Sequence, residues 1–535
     1  MYMRKLTSQV VMTYDDPVAE TKYGKVRGLK IDSTYIFRGI KYADAKRFEQ
    51  PTEVKPWEGV KEAFQYGYVC SELNTPIPHD QFTVPHFFYP QNENCQYINI
   101  WTQSLKKDAK RPVMVWLHGG GWFSGSSVEL LSYDGENLSV FGDVVVVSLN
   151  HRLNVLGYLD MSQYGPQFAN SANAGLADLV MAMKWIHENI ENFGGDPENV
   201  TIFGQSGGGS KVVSLMQTPE ADGTFNKAIV ESGLPRPQGK EATEIEIKNR
   251  QEMAARILKT LGIAEDEAAK IQDVSWYDLA QATMNAIYVM KEEGKSVSWG
   301  PVRDGKFFLG YPRDWGWRDE TIGYPMLVGS IISESGSLGL GDGCKNTWDE
   351  ETVNGYLKEK FGDYAPKMAE EFRKAYPERR LADLLFIDTG GRENNYDFAT
   401  NRAAAGGPTW NWLFCLESPY NGGAMPWHNA EECYVFHNAE YIEAQYVPGV
   451  SERLQDQMSG AWVQFAKTGD PNFELIPQWD KATADSMPTM RFDAVTDQKV
   501  DYDKNLLASF PPPAPRVFGG SGKMYAMFGV KPDEE

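Results

Sequence analysis

The segment Val200-Thr-Ile-Phe-Gly-Gln-Ser-Gly-Gly-Gly-Ser210 sets a serine inside G-x-S-x-G, preceded by an apolar, β-branched run and followed by the helical-looking Lys211–Met216. A chain with 50 glycines can produce that pentapeptide by chance, so the pattern alone is weak. Strand before and helix after make it specific: the sharp turn lifts the hydroxyl of Ser206 clear of a sheet, and Gly204 and Gly208 keep side chains out of the crossing. The chemistry this suits is acyl transfer through a serine nucleophile. Such a reaction needs donors for a developing oxyanion. Leu117-His-Gly-Gly-Gly-Trp122 supplies a glycine turn after another strand-like run. The backbone N–H groups of Gly120 and Gly121, with that of Gly207 after the serine, are the candidate donors. Loss of one such donor costs about 3–4 kcal/mol of transition-state stabilisation.

A serine needs a base, and imidazole titrates in the range that proton transfer at neutral pH requires. The chain has seven histidines. His118 belongs to the glycine turn and His187 to the amphipathic run Trp185–Ile190, where both read as structural. His79, His86 and His151 precede the serine, whereas hydrolases with this elbow run in the order Ser, Asp/Glu, His. His428 and His437 remain. His428 sits in a loop-like Met425–Ala430 after the strand-like Asn411–Cys415, the placement the motif order asks for; His437 is the alternative. A carboxylate must then orient the imidazole. Glu334 follows the apolar run Pro325–Ser333, but a solvated glutamate is the ordinary outcome, and the residues alone leave it one candidate among many.

The surrounding elements must hold these groups. Val113–Leu117, Val144–Leu149 and Val200–Phe203 read as buried strands, and Ala172–Asn192 has helical spacing. That alternation predicts a mainly parallel α/β sheet. Ile245–Leu261 and Glu350–Ala375 read as surface helices of a cap or peripheral bundle. A length of 535 residues suggests two or more domains by default, yet no linker or repeat divides the chain, and Pro511–Pro515 is only a brief loop signal. With 42% hydrophobic and 23% charged residues, a large packed core is expected. A net charge of −21 excludes nucleic acid and anionic membrane as natural partners. Met1–Pro17 lacks the apolar stretch of an export signal and no run is long enough to span a bilayer, so a cytoplasmic setting is expected over secretion. Five cysteines without a C-x-x-C pair argue against a disulfide scaffold and against zinc.

Beyond these motifs, ordered blocks along nearly the whole chain resemble the type-B carboxylesterase family, which includes cholinesterases, bacterial para-nitrobenzyl esterases and fungal lipases. They are Tyr35–Ala43, Arg47-Phe with Pro56–Val60, Glu93–Ile100, Asn150–Leu153, Asn173–Asp178, Asn192–Pro197 and Thr468–Asn472. The resemblance implies one α/β-hydrolase domain over residues 1–535 with its site at the bottom of a gorge. It favours Glu334, five residues after Gly329, and His428, which opens His-Asn-Ala-Glu-Glu-Cys-Tyr-Val-Phe436. It suggests Ser232 as a supporting hydrogen-bond partner. It also implies a bridge between Cys70 and Cys95, closing a loop whose His79, Pro85, Phe87, Phe88 and Tyr89 would form an aromatic rim; in a reducing compartment the thiols would stay free.

Three positions depart from the family pattern: Gln205 stands where a glutamate is common, Ser335 where glycine is usual, and Lys41 where proline is common. A neutral Gln205 argues against cationic choline-like esters. The expected activity is hydrolysis of uncharged aryl or short-to-medium acyl esters, with Trp122 and Phe123 shaping the pocket and no metal or organic cofactor. Esters of hydroxycinnamic acids or sugars, amide cleavage by the same residues, and a non-catalytic binding module are the alternatives, and monomer and homodimer stay equally open. If a histidine is the base, kcat/KM declines as pH falls through roughly 6 to 7; a pH–rate profile flat down to about pH 4 would remove histidine from the mechanism.

Overall fold

The computed structural model describes residues 9–13, 16–73, 86–295, 297–334, 342–388 and 390–511. His79, Pro85, Ser335 and most of the Pro511–Pro515 segment lie outside them. Twelve strands form one sheet: β1 (Val10–Val11), β2 (Leu29–Ile31), β3 (Thr34–Lys41), β4 (Tyr97–Thr102), β5 (Arg111–Leu117), β6 (Val145–Leu149), β7 (Gly195–Gln205), β8 (Lys227–Glu231), β9 (Met326–Ile331), β10 (Thr409–Phe414), β11 (Pro488–Phe492) and β12 (Asp497–Val500). Their order is β1-β2-β3-β4-β6-β5-β7-β8-β9-β10-β11-β12. Pairing is parallel from β6 through β11 and antiparallel at both flanks.

Parallel strands are covered on both faces, which is why the central ones are near-continuous apolar runs. Successive side chains alternate between the faces. Val113, Val115, Leu117, Ile202, Val230 and Val328 pack on one side with the helices α1 (Ala174–Asn189) and α2 (Gly207–Met216). Met114, Trp116, Phe203, Ile229, Leu327 and Trp412 pack on the other, against α8 (Ser451–Thr468). Two satellite cores complete the molecule: α3 (Lys240–Thr260) lies on α4 (Trp276–Glu292), and α5 (Glu350–Phe361) packs near α6 (Ala365–Ala375). A further helix, α7 (Gly390–Ala404), backs β9 and β10.

Two sequence expectations change here. Glu350–Ala375 is two helices, because Gly362 turns left-handed at φ 55° and Pro366 starts the second. The Ile245–Leu261 helix begins earlier and is amphipathic, burying Arg250, Met253, Ile257 and Leu258.

Register decides where chemistry can occur. Leu117 pairs with Gly204, Gln205 with Glu231, Glu231 with Gly329, and Ile331 with Phe414. The carboxyl ends of β5, β7, β8, β9 and β10 therefore finish along one edge, and the loops leaving them meet there.

Two of the family-like blocks are joined beneath that edge. Arg152 donates to Asp178 through Nε (2.9 Å) and Nη2 (2.7 Å), and through Nη1 to the carbonyls of Lys46 (3.0 Å) and Glu49 (2.8 Å). Both side chains are buried. Removing one member of such a pair strands a buried charge, at a cost of about 3–5 kcal/mol. Asp178→Ala is expected to lower the unfolding free energy read from urea denaturation by that amount, shifting the midpoint down at unchanged m; an unchanged midpoint would mean the pair does not support the fold.

Candidate active site

Ser206 occupies the turn between β7 and α2 with φ 54° and ψ −121°, outside the regions most residues adopt. Its N–H donates to the carbonyl of Glu231 (2.7 Å), so β8 holds the strained residue in place. The glycine spacing has the steric cause inferred above: a Cβ at Gly208 would overlap the carbonyl oxygen of Leu117. One at Gly207 would overlap the backbone of Gly121, so the two glycine segments touch. Gly120 and Gly121 adopt φ +77° and +64°. Among the described residues their N–H groups have no backbone partner, and Gly207 begins α2, where N–H groups are left over by the helix.

Ser206, Glu334 and His428 line one cavity of about 1010 Å³ together with Gly121, Gly207 and Trp122. Glu334 lies just beyond β9, where its Oε1 accepts the N–H of Ile331 (2.9 Å) and its Oε2 meets Nδ1 of His428. That contact fixes the ring orientation and leaves Nε2 as the nitrogen available to a substrate-side proton. Gln205 Nε2 donates to the main-chain carbonyl of His428 (2.5 Å), tying the histidine loop to the elbow. His437 lies elsewhere, paired with Asp456 (2.8 Å) and stacked on Phe141. His118 and His151 are buried side by side, and burial together with the nearby Lys211 ammonium keeps them well below the ordinary imidazole range.

Three expectations need correction. Phe123 does not line the cavity: Gly120 O accepts from Phe123 N (3.2 Å) and Ser124 N (3.0 Å), and this reversal turns the ring into the core beside α3 and α4. Ser232 lines the cavity, but among the described residues its hydroxyl finds no hydrogen-bond partner. Cys70 and Cys95 are free, buried thiols in mutual hydrogen-bond contact, and no bridge joins them. Of the aromatic rim, Phe88 is exposed and stacks on His86.

The structure adds groups that motif reading passed over. Lys211 is buried one turn into α2, with Nζ donating to the carbonyls of His118 (2.7 Å) and Gly119 (3.4 Å), so it clamps the glycine turn. Burial pulls its ammonium down to about 7. A lysine in an otherwise glycine and valine helix start was the available signal. Behind His428, Glu231 and Glu431 are buried; Glu231 accepts from Trp462 Nε1 (2.8 Å), whereas Glu431 has no side-chain partner among the described residues. Burial, reinforced at Glu431 by Glu231, Glu432 and Glu334, raises both, Glu231 to about 8. The signal was a pair of glutamates inside the apolar run Ala430–Phe436.

A serine on a strained elbow, a carboxylate-held histidine and unengaged backbone donors on a parallel α/β sheet define a serine hydrolase of the α/β-hydrolase kind. Residues 15–508 match the Carboxylesterase family, and the chain belongs to it. It is 31% identical to the para-nitrobenzyl esterase of Bacillus subtilis (strain 168) over 88% of this chain and 94% of that one. It is 29% identical to the phenmedipham hydrolase of Pseudarthrobacter oxydans, covering 88% and 93%. Among solved structures, an esterase from anaerobic Clostridium hathewayi that can hydrolyse aliphatic aromatic polyesters superposes with a TM-score of 0.87 at 44% identity, covering 94% of this chain and 99% of that one. The protein is an ester hydrolase.

The buried carboxyls carry a pH signature. The folded chain retains a proton on Glu231 that the unfolded chain releases near the ordinary value of 4.5, so this contribution to stability is complete below that value and is lost as pH rises through about 8. Glu231→Gln is expected to flatten the fall in thermal midpoint between those limits relative to the parent. Parallel curves for the two proteins would show that Glu231 ionises normally.

Proposed function

We propose that this esterase cleaves uncharged aryl or short-to-medium acyl carboxylic esters through an acyl-enzyme, within one domain spanning residues 1–535. His428 Nε2 takes the Ser206 proton as Oγ adds to the ester carbonyl. The oxyanion lies toward the N–H groups of Gly120, Gly121 and Gly207. Collapse breaks the C–O bond, and His428 passes its proton to the leaving alcohol. Water, deprotonated by the same nitrogen, then cleaves the acyl-serine and releases the acid. Glu334 holds the ring and stabilises imidazolium throughout.

The observation that carries the reading is the joint placement of strained Ser206 and carboxylate-bound His428 on one cavity wall. Trp122, buried and edge-on to Tyr158 at 5.2 Å, gives the adjoining wall an aromatic surface suited to aryl or acyl groups. The neutral Gln205 side chain puts no charge beside the serine where a glutamate would, which does not favour a cationic ester. The names of the relatives point the same way, since para-nitrobenzyl esters and aliphatic aromatic polyesters both present aromatic groups.

Para-nitrophenyl acetate, butyrate and octanoate provide the test. The parent is expected to show a pre-steady-state burst, and Ser206→Ala to lose about five to six orders of magnitude in kcat. Equal, near-background rates for both proteins would overturn the assignment of Ser206.

A further inference from the structure

The cavity wall away from Ser206 carries cations that the hydrolysis of a neutral ester does not use. Arg236 and Arg303 both line it, beside Trp315. The Arg303 guanidinium lies 3.6 Å from the centroid of the Trp315 ring, with Nε donating to the carbonyl of Leu309 (3.1 Å). Lys240 Nζ lies 5.1 Å from the same centroid. Among the described residues none of these three cations forms an ion pair. The carboxylates on the cavity wall are, by contrast, engaged. Glu246 accepts from Arg250 Nε (2.9 Å) and from Ser298 N (2.8 Å), and Glu334 is held by His428. Asp314 accepts the N–H groups of Gln238 and Gly239 (3.0 Å each), and Asp388 that of Gly391 (2.6 Å).

In a chain of net charge −21, acidic side chains are abundant enough to pair every cation, so two cations left without an ion pair among the described residues at one indole, with a third on the same cavity wall, are a specific arrangement. A guanidinium stacked on an indole is flat, weakly hydrated and already fixed in orientation, and its outer N–H groups match the two oxygens of a carboxylate.

We propose that Arg303 and Lys240 at Trp315, with Arg236 on the same cavity wall, form an anion subsite, and that the substrates include esters carrying a free carboxylate remote from the scissile bond, such as half-esters of dicarboxylic acids. This rests on the hydrolase reading above. Water adds across the same C–O bond, its hydroxyl going to the acyl carbon and its proton to the alcohol, while the remote carboxylate is unchanged and serves only as a handle. The carboxylate can belong to the acid part or to the alcohol part, and the two are separated by experiment.

Two matched pairs are measured on the full chain: para-nitrophenyl hydrogen glutarate against para-nitrophenyl valerate, and para-acetoxybenzoate against its methyl ester. The expected result is a higher kcat/KM for the anionic member of at least one pair. That ratio should fall about tenfold or more in Arg303→Gln, the usual weight of one charge-assisted hydrogen bond. It should also shrink with salt above about 0.1 M, where screening reaches ~10 Å. Preference in the first pair assigns the carboxylate to the acid part, and preference in the second to the alcohol part. Arg236→Gln, a change at an exposed side chain, reads the same ratio if Arg303→Gln does not fold. No preference in either pair, or a ratio unmoved by both variants, overturns the subsite. Calorimetric binding of glutarate to Ser206→Ala keeps the two readings distinct: binding that is lost on adding Arg303→Gln supports the subsite even if no ester is turned over, whereas ester turnover with neither binding nor preference removes the subsite and leaves the hydrolase.

Discussion

The close crossing at the nucleophile elbow is the constraint on which the rest of the site depends. Ser206 holds φ 54°, a conformation that costs of order 1–3 kcal/mol and persists only where its surroundings over-determine it. Those surroundings are the Glu231 carbonyl receiving its N–H, the Leu117 carbonyl against Gly208 and the Gly121 backbone against Gly207. The same packing that forces the serine out of the sheet thus brings the glycine turn to its side. Lys211 reinforces this from below, since its Nζ binds the two carbonyls that begin that turn. The proposed nucleophile and oxyanion donors are consequently one unit, stiffened by the β5, β7 and β8 register.

The histidine is positioned by a second unit with a different physics. Glu334 fixes the ring from the β9 end, and Gln205 grips the main chain from the elbow. Below them Glu231 and Glu431 are buried, and burial raises both carboxyls, Glu431 further through its acidic neighbours. A neutral glutamine at 205 suits that setting: it donates to a carbonyl, which an ionised glutamate could not do, and adds no further charge. Glu334 is thus the carboxylate that contacts the His428 ring, while Glu231 and Glu431 behind it are raised by burial.

The cavity is chemically divided. Near the serine its walls are glycine backbone and the buried indole of Trp122; farther out they are Trp315 and cations. The helix α3 provides part of that outer wall, and the core it shares with α4 is separate from those that pack on the sheet. Substrate selection can thus change in the satellite layer without disturbing the elbow.

What the sequence determined by itself was local chemistry. G-x-S-x-G between a strand and a helix has one workable geometry, triple glycine after a strand has few, and seven histidines in a required chain order leave two. Strand and helix types followed from periodicity, and family-like blocks favoured Glu334 and the α/β-hydrolase fold. Only the tertiary structure decided matters of direction and burial. Phe123 and Trp122 are neighbours in sequence, yet a reversal at Gly120 turns one into the core and leaves the other in the cavity. Ser232 looked like a partner and has none among the described residues; Cys70 and Cys95 meet as thiols; Lys211 and Glu231 became part of the site's surroundings because segments 93 and 231 residues away in the chain, at His118 and Trp462, close over them. A side chain's protonation and aim depend on which distant atoms exclude water from it, and that is fixed by packing rather than by neighbours along the chain.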